Sequence, residues 1–511
     1  MFSSVITASI LGLDVECSRA EVNVASGLPK FLIVGLADQA VKEASDRIRA
    51  AVVNCGFEFP DRRVTVNLTP AGRSKNGSHY DLPIAIGLLL ACGQLTACRS
   101  LEDTAFIGEL SLDGSVNPVD GILPMIIGLQ KLGIERVMLP QGNIGEARLL
   151  RGVELYPVSS LAQAAGHVNG DSPVRPAAHA AGGAGAARAQ VPDFSEILGQ
   201  ESVKRAAQVA AAGMHGMLMI GPPGVGKSMV GKRIPGILPP MTYKEQMDVT
   251  QIYSIAGELS PERPVISERP YRAPHHSMSA AALIGGGRVP HPGEISLAHC
   301  GVLFLDELPE FSSHTIDMLR TPMEEGRVMI NRAEWRCSFP SQFMLVAAMN
   351  PCRCGYYGDP VRKCTCTETD RQRYIGRISG PLLDRIDIHI AMERVVYGDM
   401  SGSARKPGLS TADLREAVIY ASEIQAQRYK NCGIDRNSQL TPALIKRFCV
   451  LEPDASDIIR GAFESLSLSA RSYHRILKVA RTVADIGGSE RIRSADILEA
   501  LSYRCPERFF K

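Results

Sequence analysis

The residues best suited to chemistry lie in four short stretches. MLMIGPPGVGKSMVGKRI sets Gly221, Pro222, Pro223, Gly224, Val225, Gly226, Lys227 and Ser228 between an apolar strand and a helix. Glycines at that spacing let backbone N–H groups turn inward around phosphate oxygens. The lysine then places a charge at the β- and γ-phosphates, and the serine hydroxyl is a ligand for Mg2+. These residues are expected to bind ATP. Downstream, GVLFLDELPEF reads as a buried strand ending in Asp306 and Glu307. One carboxylate would join Ser228 on Mg2+ and the other would polarise the attacking water. Acidic residues also end strands merely to meet solvent; the glycine loop upstream favours the catalytic reading. A third strand, FMLVAAMN, ends in Asn350, whose amide can hold the γ-phosphate or the water.

The fourth stretch, NPCRCGYYGDPVRKCTCTETD, carries Cys352, Cys354, Cys364 and Cys366 just after Asn350. Four thiolates are a full tetrahedral set for zinc and leave no open position for catalytic water, so a structural Zn2+ is expected. Two disulfides or an iron–sulfur cluster are the alternatives. A metal would pin the loop, with Arg353, Arg362, Lys363, Arg371 and Arg373, as a rigid knuckle beside the phosphate site.

The surrounding chain must position these groups. Its 511 residues, 45% hydrophobic and 22% charged, suit a globular protein of several domains. A net charge of +2 decides nothing about nucleic acid. The longest nearly apolar run, LPIAIGLLLACG, is too short to span a bilayer and reads as a buried helix. The first basic residue is Arg19, and Gly12 and Asp14 break the apolar positions before it, so no export leader is expected. Thirteen mostly isolated cysteines fit a reducing compartment, and the expected location is cytoplasmic, with no membrane partner.

One composition shift divides the chain: residues 169–192, rich in Ala, Gly and Pro, read as a flexible linker. Before it, residues 1–168 alternate strands such as RRVTVNL with helical runs, an α/β or α+β domain. After it, an α/β core spans 193–397, and a helical lid or C-terminal module spans 398–511.

The three strand ends, taken in order, resemble an AAA+ ATPase. That resemblance implies a multidomain α/β fold. It also implies an arginine reaching the neighbouring subunit's nucleotide, matched by Arg385 in ISGPLLDRID, and a lid arginine on the bound nucleotide, matched by Arg471 in LSARSYHR. Arg475, one turn on, is the alternative to Arg471. The long insert containing RPYRAPHHSMSAAALIGGGRVPHPGEISLAHCG, and two short strands turning near Asn331 to Glu334 just before FMLVAAMN, are similar to the helix-2-insert, pre-sensor-1-hairpin clade. There, Arg332 at the hairpin tip and Arg272, His275, His276 or Arg288 from the insert are candidates to touch DNA. Across nearly the whole chain, GLPKFLIVGLADQAVKEASDRIRAA, RAPHHS, GPLLDRID and SARSYHRILKVAR resemble the YifB/ComM family of magnesium-chelatase-like proteins. The resemblance implies a homohexamer acting on branched, single- or double-stranded DNA in recombination and natural transformation. A recombinase or other recombination protein would be a further partner.

The first domain resembles the proteolytic domain of Lon. Its serine position falls on His79 and its lysine position on Leu123, so the Ser–Lys chemistry is missing; Ser78 is adjacent, with no lysine matched to it. The expectation is an inactive, reused fold. Two functional classes follow: a DNA-dependent motor, or an ATPase that remodels or scaffolds protein without acting on DNA.

Overall fold

The computed structural model describes residues 1–35, 38–70, 75–179, 191–332, 335–394, 409–466 and 468–504. The protein is mixed α/β and multidomain. Its first domain is built on a seven-stranded sheet in the order Lys30–Val34, Arg63–Thr69, Asp14–Ala25, Phe2–Leu11, Thr104–Phe106, Arg136–Pro140, Glu154–Val158. Arg63–Thr69 alternates buried and partly exposed residues, as a strand covered on one face requires. The apolar run seen in the sequence forms the helix Asp81–Ala91, buried along nearly all of its length against that sheet.

The central domain is a five-stranded parallel sheet in the order Tyr271–Arg272, Val302–Leu305, Met344–Met349, Met217–Ile220, Ile388–Ala391. Val302–Leu305, Met344–Met349 and Met217–Ile220 are buried throughout, because helices cover both faces of a parallel sheet. The three strands that the sequence ends in glycine loop, acidic pair and asparagine are therefore adjacent, and their carboxyl ends open on one edge, where α/β sheets bind ligands. Ahead of Met344–Met349, strands Arg327–Asn331 and Arg336–Pro340 pair as an antiparallel hairpin, as expected. Ala333 and Glu334, within its turn, lie outside the described residues.

From Thr411 the chain is helical: Thr411–Tyr429, Pro442–Phe448, Pro453–Ser465, Ala470–Ile486 and Ser494–Ser502. These helices share one apolar core with the sheet. A buried polar chain reinforces the join: His215 contacts Asp387 Oδ2 at 2.8 Å and Thr482 Oγ1 at 2.7 Å. Gln425 donates to Ala212 O at 3.0 Å.

The first domain's last helix, Leu161–Asn169, ends at Gly170, and the chain beyond stays packed on that domain: Ala177 N donates to Leu155 O at 2.8 Å and Arg148 Nε to Ala178 O at 2.7 Å. So the expected linker does not begin at 169; of the remainder, 180–190 lies outside the described residues, as does the loop 395–408 that was to open the lid. The first domain also docks on the core. A Cβ at Gly12, in the turn between its first two strands, would sit 3.0 Å from Cys337 of the hairpin, and Tyr243 Oη donates to Leu149 O at 2.7 Å. Among the described residues no helix is long and apolar enough to cross a membrane.

Candidate functional site

Met217–Ile220 leads into the loop 221–226 and the helix Lys227–Ile237. Gly226 (φ 93°) and Gly224 (φ 81°) adopt left-handed backbone that disfavours other residues, and a Cβ on Gly221 would lie 2.6 Å from Met392 O. Lys227 Nζ donates to Gly221 O at 2.7 Å, Pro222 O at 2.8 Å and Asn350 Oδ1 at 3.0 Å. Burial lowers its pKa to about 8 against the pull of Asp306 and Glu307. Ser228 Oγ donates to Asp306 Oδ2 at 2.5 Å, and Asp306 Oδ1 accepts from Glu307 N at 2.9 Å. Glu307 itself has φ 51°, a costly conformation that is kept where surrounding structure enforces it. Pro223, Gly224, Gly226, Lys227, Ser228, Asp306, Glu307 and Asn350 line one cavity of about 360 Å³. Hydroxyl and carboxylate oxygens side by side suit a hard divalent cation such as Mg2+.

Arg385 and Arg471 are not in that cavity. They line a second one of about 500 Å³, between the sheet and the lid, and both bind Glu324; the Arg471 contact is 2.6 Å. Arg471, expected on the bound nucleotide, thus lies apart from the glycine loop of its own chain. Its alternative, Arg475, is buried beneath Arg471 and lies 3.6 Å from Asp387.

The four cysteines converge. Cys352 Sγ lies 3.3 Å from Cys354 Sγ and 3.6 Å from Cys364 Sγ, and all four sulfurs lie within 4.8 Å of one another. Zn–S bonds of about 2.3 Å put tetrahedral sulfurs about 3.8 Å apart, so the set fits zinc, whereas a disulfide needs about 2.05 Å. Burial works against the Cys354 thiolate, but N–H donors from Tyr356 and Thr365 and the neighbouring thiols bring its pKa down to about 6. The knuckle rests on the phosphate loop: a Cβ at Gly355 (φ +86°) would meet Pro223 Cδ at 2.7 Å and Asn350 Cγ at 3.9 Å. Arg394 Nε, just past the last core strand, holds Asp359 of the knuckle at 2.6 Å.

The candidate DNA contacts divide. Arg288 and Arg332 are exposed and their hairpins adjoin, since a Cβ on Gly286 would lie 3.6 Å from Arg332 Nη2. His275 is exposed, bonded to Ser277 Oγ at 2.8 Å. Arg272 is not a free cation: it holds Glu294 at 2.6 Å and Glu258 at 2.8 Å, and the Glu294 hydrogen bond raises its pKa. His276 turns toward Glu307, Nδ1 to Oε2 3.8 Å. Sequence reasoning missed Glu324, Glu258 and Glu294, whose partners are remote in sequence; no local pattern marks them.

In the first domain His79 is buried, its Nε2 bonded to Ala8 O at 3.0 Å, and Leu123 is buried too. Ser78 donates to Glu109. Lys75 Nζ lies 3.4 Å from Ser18 Oγ, both buried, a pairing that no local pattern marks.

This parallel sheet, with a glycine loop facing an acidic strand end, defines a P-loop core of the magnesium-chelatase-like AAA+ class. Residues 193–400 match the family described as magnesium chelatase, subunit ChlI, with 20–143 matching subunit ChlI of Mg-chelatase and 408–504 its C-terminal family. The chain is 39% identical to competence protein ComM of Haemophilus influenzae over 99% of its own length and 98% of that protein. It is 40% identical to Escherichia coli YifB over 99% and 97%. Against the magnesium-chelatase 38 kDa subunit of Cereibacter sphaeroides, identity is 27% over 31% of this chain and 52% of that subunit. The chain belongs to the YifB/ComM family of magnesium-chelatase-like proteins.

Proposed function

We propose that the chain is the subunit of a homohexameric, ATP-driven DNA motor of the helicase or branch-migration type, extending heteroduplex in homologous recombination and natural transformation. The observation that carries this reading is the separation of the phosphate-loop residues from Arg385 and Arg471, which line a different cavity. The cation that offsets charge on the transferred phosphoryl group then comes from a second copy, so hydrolysis is tied to ring assembly. Both arginines serve the neighbour's nucleotide, and Arg475 is too buried for that role.

Ser228 and Asp306 would hold Mg2+, which supplies charge neutralisation on the β- and γ-phosphates. Lys227 and the loop N–H groups bind and orient those phosphates. Glu307 accepts the proton of the attacking water, which Asn350 positions. Zn2+ on Cys352, Cys354, Cys364 and Cys366 is structural. Arg288 and Arg332 grip the DNA backbone from adjoining hairpins.

The hairpin ahead of Met344–Met349 and the long insert favour the helix-2-insert, pre-sensor-1 clade. The first domain is read as a Lon-protease-like fold without proteolytic activity, because the Ser–Lys positions hold a buried histidine and a buried leucine. A magnesium chelatase role is not proposed: ComM and YifB align over 99% of this chain, the Cereibacter chelatase subunit over 31%. The competence name of the Haemophilus relative supports the transformation role. The test is ATP-dependent branch migration on defined three- and four-stranded DNA, with DNA-stimulated hydrolysis and Lys227→Ala as control. If branched DNA neither stimulates hydrolysis nor is remodelled, the motor reading fails and the remodelling or scaffold ATPase takes its place.

A further inference from the structure

The first domain encloses a cavity of about 10 Å³ whose wall holds two arginines, Arg99 and Arg136, and His167, beside the apolar Phe106 and Val168. Among the described residues no carboxylate joins that wall. His167, on the helix Leu161–Asn169, is 6% exposed. Its Nδ1 accepts from Val174 N at 2.9 Å, in the segment that folds back on the domain after Gly170. A backbone N–H can only donate, so the proton of the neutral ring sits on Nε2. Nε2 faces Arg99 Nη2 at 3.2 Å. A guanidinium has no acceptor either, so two N–H donors meet, and among the described residues Nε2–H has nothing to donate to. Protonating the ring gives no relief, because a second ring N–H would then oppose Val174 N. Burial, with the charges of Arg99 and Arg136, holds the His167 pKa below its ordinary value.

The arginines differ in how they are compensated. Arg136 is satisfied by Thr104 Oγ1 at 2.9 Å, Ser100 O at 3.1 Å and the Asp103 carboxylate. Arg99 lies over the Tyr156 ring, 5.6 Å from its centroid, and among the described residues no carboxylate pairs with it. The nearby Glu154 takes the Tyr156 hydroxyl at 2.7 Å. We propose that this cavity binds a single chloride ion, which accepts from His167 Nε2–H and Arg99 Nη2–H together. A buried donor without an acceptor is costly, and an anion between the two removes that cost while offsetting the Arg99 charge. A water would accept from both donors but leave that charge uncompensated. A cavity of this size holds about one water-sized body, which excludes phosphate and nucleotides. The bound ion ties the loop of Arg99 to the helix that anchors Val174, and so to the segment by which the chain leaves the first domain. The inference does not rest on the motor reading.

The test uses the full-length protein at constant ionic strength, with sodium gluconate exchanged for sodium chloride. Chloride binding is read by 35Cl line broadening, with bromide as competitor, and the His167 titration by nuclear magnetic resonance of 13C-labelled histidine. Chloride should broaden in a way that bromide reverses, and Arg99→Gln should weaken the affinity about tenfold, as loss of a charged donor predicts. Arg99 is exposed, so the variant should fold, which near-ultraviolet circular dichroism checks. An anion beside the ring favours imidazolium, so chloride should raise the pH at which His167 titrates in the wild type and leave it unmoved in Arg99→Gln. Broadening that is equal in the two proteins, or a His167 titration that chloride does not shift, leaves the cavity to water and overturns the proposal.

Discussion

Arg385 and Arg471, one following the helical turn Gly380–Leu383 ahead of the sheet's last strand and the other opening a lid helix, close on the same carboxylate, that of Glu324. A shared anion holds two like charges side by side that would otherwise repel. Glu324 is half exposed, so the pair sits at the mouth of its cavity.

Arg385→Ala should therefore leave ATP binding within about twofold while lowering turnover on the order of a thousandfold, the scale of a lost arginine finger. Mixed with wild type, it should poison rings in proportion to its fraction. Glu307→Gln should also bind ATP and fail to turn it over, but from within the subunit that holds the nucleotide. Steady-state hydrolysis of mixed rings beside equilibrium ATPγS binding checks both; normal turnover in either pure variant sinks its assignment.

The cysteine knuckle predicts a link between metal and nucleotide. Gly355 packs so closely on Pro223 that the phosphate loop leans on the knuckle, and Asn350, which holds Lys227, lies beneath it. Purified protein should contain one zinc per chain. Stripping it, or Cys352→Ser, should weaken ATPγS affinity about tenfold, on the order of 1.4 kcal/mol. Zinc-free protein that binds nucleotide as tightly as zinc-loaded protein would show that the knuckle does not brace the loop.

The parts of this site legible in the sequence are those encoded by contiguous residues. The glycine loop, Asp306 with Glu307, and Asn350 each end a strand, and a parallel sheet brings adjacent strand ends together whatever the intervening lengths. The cysteines were legible because two Cys-x-Cys pairs need only one loop to meet. Pairings across the tertiary structure were not. Nothing near Arg272 indicates that Glu258 and Glu294 will neutralise it, and nothing near Arg471 indicates that its helix faces away from its own glycine loop. Composition likewise placed the linker's start too early: small residues after Gly170 still bond to the first domain through their backbone.

Burial lowers the pKa of His79 to about 4, so between its unfolded value near 6.5 and 4 the native state binds fewer protons than the unfolded chain. Stability from this group is complete above about pH 6.5 and is lost as pH falls toward 4. Buried Asp81 and Glu146, raised to about 6 and about 7, act in the opposite sense and flatten the total profile. The difference between proteins isolates the histidine. From pH 7 to 5 the wild type should lose roughly 2 kcal/mol more stability than His79→Gln, read by urea unfolding at each pH. Parallel profiles would mean that His79 is not held neutral.

The two hairpin arginines make the most direct statement about DNA. Arg288 and Arg332 project from adjoining turns, unlike Arg272, which is occupied by two glutamates. A cation that contacts a phosphate releases counterions, so each such contact adds about 0.9 to the slope of log affinity against log salt for duplex and about 0.7 for single strands. Arg288→Ala and Arg332→Ala should each lower that slope by about one unit, reduce affinity uniformly across sequences and leave basal hydrolysis without DNA unchanged. Arg272→Ala should behave differently: the loss of its ion pairs beside the edge strand should show as lower thermal stability, with the salt slope intact. Fluorescence anisotropy with forked DNA between low and moderate salt separates these outcomes. A slope unchanged in the Arg288/Arg332 double variant would move the DNA path off these hairpins.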